Sequence, residues 1–199
     1  ASAETREAVL GHPAALRVTS HWEVLAEQIQ TRRDGLVSQT SWLLNLGDGP
    51  RFAMLLDFFP ATAGRRASVF APGEQFTGEL AFYPGRAPLR ALLVGRGGGE
   101  ATPFAWPAAA IAPDAALSGA LLAEPWVLDV PVLLPPGRIR FDAAMAPWWH
   151  AKDDGTTLPL AGTPSGLICG TDLDRTAAIW SGNRIAILAA RTPWGRIDG

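Results

Sequence analysis

Apolar positions in this chain follow a helical period near its start and then, for most of its length, the short alternation of strands. Ser20-His21-Trp22-Glu23 has the spacing of a capping box, with Ser as N-cap and Glu three residues on. Trp22, Val24, Leu25 and Ile29 supply an apolar face, Glu23, Glu27, Gln28 and Arg32 occupy the rest of the turn, and Asp34-Gly35 is a stop. This pattern predicts a helix over residues 21–33, after a mixed and peripheral stretch at 1–19.

Beyond Gly35 the period shortens. Ser41-Trp42-Leu43-Leu44-Asn45-Leu46 and Arg51-Phe52-Ala53-Met54-Leu55-Leu56-Asp57-Phe58 flank the turn residues Gly47-Asp48-Gly49-Pro50, which predicts a hairpin. A second pair joins Gly78–Tyr83 to Leu89–Val94 through Pro84-Gly85. Gly95 to Pro107, with Gly97-Gly98-Gly99, reads as a flexible loop, and Pro113-Asp114 opens a short helix over 113–123. Val127 to Leu134 is apolar and β-branched, but Pro131 restricts it to an edge or interrupted strand, with Arg138-Ile139-Arg140-Phe141 continuing the pairing. Two more hairpins are expected. One joins Trp148–Ala151 to Thr156–Leu160 around Asp153-Asp154-Gly155, and the other joins Thr176–Trp180 to Arg184–Leu188 around Ser181-Gly182-Asn183.

The expected fold is therefore mainly β (α+β): two lobes of antiparallel hairpins, barrel- or sandwich-like, with a short N-terminal helix. The first lobe spans 1–94, a flexible Gly/Pro-rich connection 95–112, and the second lobe 113–199.

Composition narrows the function classes. The 199 residues are 48% hydrophobic and include eight Trp, which is ample material for a packed core. Net charge is −2, and both halves are close to neutral, with ten basic against ten acidic residues and then seven against nine. No clustered positive charge of the kind that marks nucleic-acid binding is visible along the chain. One cysteine, Cys169, precludes an internal disulfide framework, and its apolar neighbours Leu167 and Ile168 mark a buried thiol. No run reaches the ~18 apolar residues of a membrane span, and no signal peptide opens the chain, so a cytoplasmic setting is expected. The start at Ala1, without Met, reads as a fragment or a processed product. The arginine and alanine richness, with Lys152 the only lysine, points to a GC-rich bacterial source.

Three stretches, over residues 33–185, resemble the region that follows the zinc-binding motif in bacterial SWIM zinc-finger proteins. They are Gln39-Thr40-Ser41-Trp42-Leu43 leading into Arg51–Asp57-Phe58; Phe70-Ala71-Pro72-Gly73 with Gly78–Pro84 and Pro88-Leu89-Arg90-Ala91-Leu92; and Trp148-Trp149 through Leu158-Pro159-Leu160, with Trp180-Ser181-Gly182. The family's Cys-x-Cys and Cys-x-His module has no counterpart here, because the chain has one Cys and three scattered histidines, His12, His21 and His150. The resemblance thus implies the non-zinc part of such a protein. It also implies an adaptor role beside MoxR-type ATPases and von Willebrand A domain proteins, with no metal or cofactor.

Candidate chemistry is sparse. Asp153-Asp154-Gly155 has carboxylates for a cation but lacks the further ligands of a calcium loop, and it reads as a turn. Asp172-Leu173-Asp174 resembles a short metal signature without the strand–loop–helix that gives it meaning. Gly95 to Gly99 would cradle phosphate only if a helix opened directly after it, and Pro103 and Pro107 oppose that. Gly162-Thr163-Pro164-Ser165-Gly166 lacks nucleophile-elbow spacing. Cys169 with His150, or the strand carboxylates Asp57 and Glu79, would be the parts of an uncharacterised hydrolase. The tryptophans are the unusual resource. Trp148 and Trp149, adjacent on a strand, must face opposite sides, and exposed Trp anchors interfaces. Trp148, Trp149, Trp180 and Trp194 are accordingly the expected contacts of a protein partner, with no catalytic residue assigned. The alternative is a nucleic-acid-associated accessory domain using Arg65, Arg66, Arg86, Arg90 and Arg96.

Overall fold

A computed structural model describes residues 3–31, 35–61, 70–98, 104–108, 110–123, 129–164, 166 and 168–199. The protein is mainly β, with a short N-terminal helix, and divides into two compact units, Ala1–Ala105 and Trp106–Gly199. No helix among the described residues is long and apolar enough to cross a membrane.

The first unit contains α1 (Ala3–Gly11), β1 (Arg17–Thr31), β2 (Leu36–Asn45), β3 (Phe52–Pro60), β4 (Gln75–Phe82) and β5 (Arg90–Arg96). Its strands close into a barrel in the order β1-β2-β3-β5-β4. The first strand is flanked by the second and fourth, and β3 runs parallel to β5, which is the strand arrangement of an OB-type barrel. That parallel seam is short, with only Met54↔Arg90 and Leu55↔Ala91 in register. Trp22, Val24, Leu43, Ala53, Phe76, Leu80 and Phe82 fill the interior. The Trp22 indole N–H reaches the Gly78 carbonyl at 3.2 Å.

The helix predicted over 21–33 is a strand: those residues fall largely within β1, and 32–34 lie outside the described residues. Two causes explain the difference. β1 pairs along both edges, Trp22↔Asn45 to Thr31↔Val37 with β2 and Arg17↔Ala81 to Glu23↔Gln75 with β4, so barrel closure outweighs local propensity. A β-bulge between Val24 and Ala26 also shifts the alternation, so that Trp22, Leu25 and Ile29 acquire a helix-like spacing. The supposed capping pair instead makes cross-strand bonds. Ser20 donates to Asn45 Oδ1 at 2.7 Å, and fully buried Glu23 accepts from Gln75 at 2.7 Å.

The stretch read as a flexible connection over 95–112 also differs. Gly95 and Arg96 complete β5, and Phe104 is held to the barrel. Gln75 accepts from its backbone N–H at 2.8 Å and donates to its carbonyl at 3.0 Å, while the His21 ring stacks on Phe104 with centroids 3.9 Å apart.

The second unit contains α2 (Pro113–Ala123), β6 (Val130–Leu134), β7 (Gly137–Phe141), β8 (Pro147–Ala151), β9 (Thr157–Pro159), β10 (Asp172–Leu173), β11 (Arg175–Trp180), β12 (Ile185–Thr192) and β13 (Gly195–Asp198). Two four-stranded antiparallel sheets, β13-β12-β11-β6 and β10-β7-β8-β9, share one core. Val132, Leu134, Ala178 and Trp180 meet Ile139, Trp149, Leu158 and Leu173 there, with Ala116, Leu117 and Ala120 of α2 packed against them. β6 is an edge strand, as Pro131 requires. Arg138–Phe141 does not continue its pairing: Pro135-Pro136 carries the chain into the other sheet, where β7 pairs with β8 and β10.

Gly137 sits where the core leaves no room for a side chain. A Cβ there would lie 2.5 Å from Trp149 Cε2 and 2.6 Å from the His150 carbonyl oxygen, one of them a ring locked in the core and the other backbone. Gly137→Ala is expected to cost about 1–3 kcal/mol, read as a lower urea midpoint with unchanged slope. Gly119, exposed on α2 with nothing within 4 Å of an added Cβ, should respond oppositely: Gly119→Ala gains about 0.5–1 kcal/mol.

Candidate functional site

The segment joining β7 to β8 exposes two large apolar side chains, Phe141 and Met145, within five residues. Strand register sets its base, with Phe141 opposite Pro147 and Arg140 opposite Trp148. Asp142 organises the loop. Its Oδ1 accepts the backbone N–H of Ala144 at 2.9 Å and of Ala146 at 2.8 Å, and its Oδ2 accepts the Trp148 indole N–H at 3.2 Å. The backbone closes on itself through Met145 N–H to Asp142 O and Asp142 N–H to Ala146 O, both 3.0 Å. The Ala146 bond, more than the Trp148 and Ala144 bonds, holds the Asp142 carboxyl below its ordinary value of 3.8.

This network forces Met145 to a φ of 60°, the one non-glycine residue with positive φ among those described. Met145 is 72% exposed; Phe141, 41% exposed, follows Ile139 on the core-facing side of β7, and half-buried Trp148 lies on the outer face. Cross-strand on the outer face stand exposed Arg140 and, on the far side of Trp148, Pro159. Phe, Met, Trp and Arg are the residue types that interface cores favour, and a strained backbone persists only where its surroundings over-determine it. The arrangement offers a preformed apolar knob flanked by a cation. It offers no nucleophile or acid–base pair.

The expected tryptophan contacts divide. Trp148 borders the knob, and Trp194 is 63% exposed in the β12–β13 turn. Trp149 and Trp180 are core residues, which corrects their assignment as partner contacts: alternation along β8 and β11 points them between the sheets. Trp149 and Trp148 do face opposite ways, as adjacent strand residues must. Phe141, Met145 and Arg140 were missed, because the apolar residues of a turn resemble loop filler until the backbone geometry is known.

The remaining candidates do not converge. Cys169 packs against the core beside Ile139, whereas His150 lies on the outer face of the same sheet opposite Arg138. Glu79 accepts from Arg17 at 3.1 Å on the outer side of β4, while alternation from Ala53 and Leu55 turns Asp57 inward on β3. Asp154 stabilises its turn by accepting the Thr156 N–H at 2.8 Å, with Gly155 at φ 72°. Asp172 pairs with Arg138 at 2.7 Å. Among the described residues no group of three or more His, Cys, Asp or Glu side chains could hold a metal ion. Of the arginines, Arg90 stacks on Tyr83 at 4.4 Å, Arg96 pairs with Glu74, Arg86 stands exposed in the β4–β5 connection, and Arg65 and Arg66 lie outside the described residues, as does Ser165.

Asp142→Ala removes three acceptor bonds at once. Amide exchange at Ala144 and Ala146 should accelerate at least tenfold, with no change in protection of β6 and β11. Because the folded carboxyl titrates below its ordinary value, the stabilisation it gives is complete above that value and is lost as pH falls through the lowered one. Wild-type exchange at the two amides should therefore approach that of the variant only in strong acid, which pH-dependent NMR exchange would show.

No family model matches the chain, and no curated protein or solved structure is significantly similar to it.

Proposed function

We propose that this chain is a non-catalytic, protein-binding adaptor module that engages its partner through the β7–β8 turn of its second unit. The observation that carries the reading is Met145, an apolar side chain held out to solvent on a strained backbone by three bonds to Asp142. An apolar knob that is rigid before contact loses little conformational freedom on docking, which is how a small patch gains affinity. Trp148 and Arg140, cross-strand neighbours on the outer face, add an aromatic surface and a directional polar contact, while Phe141 extends the apolar end of the turn on the other side of the sheet. The resemblance to bacterial SWIM zinc-finger proteins supports an adaptor within a cytoplasmic assembly or a longer parent protein.

The nucleic-acid reading is weaker. OB-type barrels bind oligonucleotides across β2 and β3. Here those strands read Leu-Val-Ser-Gln-Thr-Ser-Trp-Leu-Leu-Asn and Phe-Ala-Met-Leu-Leu-Asp-Phe-Phe-Pro, whose one charged residue is Asp57. A surface that tracks phosphates needs cations interleaved with its aromatics.

A photo-crosslinking residue placed at Met145 of the protein in its native cells should capture a protein encoded beside it, while the same residue at Glu7 on α1 should not. Phe141→Ser with Met145→Ser should weaken retention of that partner at least tenfold at physiological salt, with the thermal midpoint preserved. Equal crosslinking from both positions, or unaltered retention, would count against the reading.

A further inference from the structure

The outer face of β1 and β4 holds Phe104 in a way that strand pairing does not supply. Trp22 and Phe76 point into the barrel, so alternation puts His21, Glu23, Gln75 and Thr77 on the outside. β4 already has β1 on one side and β5 on the other, and Phe104 lies over the face instead of joining an edge. The Gln75 side chain stands in for a ladder partner. Its Oε1 accepts the Phe104 N–H at 2.8 Å, and its Nε2 donates to the Phe104 carbonyl at 3.0 Å. One amide can meet both groups of one residue only where they point the same way, as they do in a strand.

This contact is prepared from beneath. Fully buried Glu23 accepts the other Nε2 hydrogen of Gln75 at 2.7 Å. A carboxylate has no hydrogen to give, so the amide is held one way round, with Oε1 turned to the Phe104 N–H. His21 receives the side chain. Its Nδ1 lies 3.0 Å from the Thr77 hydroxyl, which fixes the plane of the ring. Phe104 stacks on that plane, with centroids 3.9 Å apart and 23° between the rings. Backbone and aromatic ring are thus recognised by two different residues, both already set in place by the barrel.

We propose that this clasp is a docking site for a partner's peptide segment that presents an aromatic residue in extended conformation, with Phe104 as its internal occupant. Gln75 takes the backbone of the incoming residue and His21 takes its ring, the division of labour by which main-chain bonds give affinity and a side-chain contact gives specificity. A tether that served packing alone would be held by apolar contact. Recognition of both backbone groups of one residue can pass intact to another chain, because nothing in it depends on the covalent connection. Phe104 competes at the high local concentration of a tethered segment, so an incoming peptide must displace it. The affinity seen from outside is lowered by the fraction of molecules in which the clasp is open. The site lies in the first unit, apart from the β7–β8 turn, and does not depend on the adaptor reading.

Titrations of the 199-residue chain, followed by NMR of the Gln75 side-chain amide, would use acetyl-alanyl-phenylalanyl-alanine amide as the probe. Phe104→Pro deletes both the ring and the N–H that Gln75 accepts, and so opens the clasp. This variant is expected to bind the probe with a Kd of about 1 mM or tighter, at least about tenfold tighter than the wild type. Methylating the phenylalanine nitrogen of the probe removes one bond to Gln75, and replacing its phenylalanine by leucine removes the stacked ring. Each change should weaken binding about fivefold or more. Phe104→Gly, which removes the ring alone, serves the same comparison if the proline disturbs the barrel. No binding to either variant at about 10 mM, equal binding of either altered probe, or equal affinity of wild type and variants would overturn the proposal.

Discussion

The double pairing of β1 is the constraint on which the first unit depends. This strand must satisfy backbone groups on both edges at once, against β2 for its second half and β4 for its first. The Leu25 bulge lets one strand turn from one partner to the other, and it leaves Trp22 and Val24 inside the barrel. Closure at the β3–β5 seam is slight, with two register pairs against nine between β2 and β3. The barrel is thus firmly sewn on the β1 side and barely stitched at the opposite seam. Glu23, buried on β1, and Gln75 on β4 extend the same sewing to Phe104.

The second unit solves a different problem. Its two sheets are short-stranded, and large rings fill the space between them. Trp149 lies over Gly137 so closely that any Cβ there would force the ring or the backbone to shift. That contact anchors β7 to β8, and the turn joining them inherits the rigidity. Asp142 then converts a rigid base into a rigid tip. Scaffold and knob are linked through Trp148, whose indole reaches Asp142 while its neighbour Trp149 fills the core. A loop held by its own side chain can present an apolar residue to water without collapsing over it.

Much of this architecture was legible in the chain. The hairpins around Gly47–Pro50, Pro84-Gly85, Asp153–Gly155 and Ser181–Asn183 are all present, since turn chemistry and alternation are local. α2 begins at Pro113 as its Pro-Asp start indicates. The helix over 21–33 failed because a bulge counterfeits helical spacing and because two-sided pairing is a property of the closed barrel. The parallel β3–β5 contact joins segments whose order along the chain carries no trace of it. At the candidate site, alternation separated Trp148 from Trp149. It could not reveal that Trp180 is enclosed, nor that Asp142 would fix Met145, which depends on three bonds formed only once the register is set.

Docking through the β7–β8 turn is most directly tested by hydroxyl-radical footprinting of the protein, alone and together with whatever partner it retains from its native cells. Oxidation of Phe141, Met145 and Trp148 should fall several-fold when the partner is bound, while exposed Leu122 on α2 is labelled equally in both states. Equal labelling of Met145 in the two states would contradict the account.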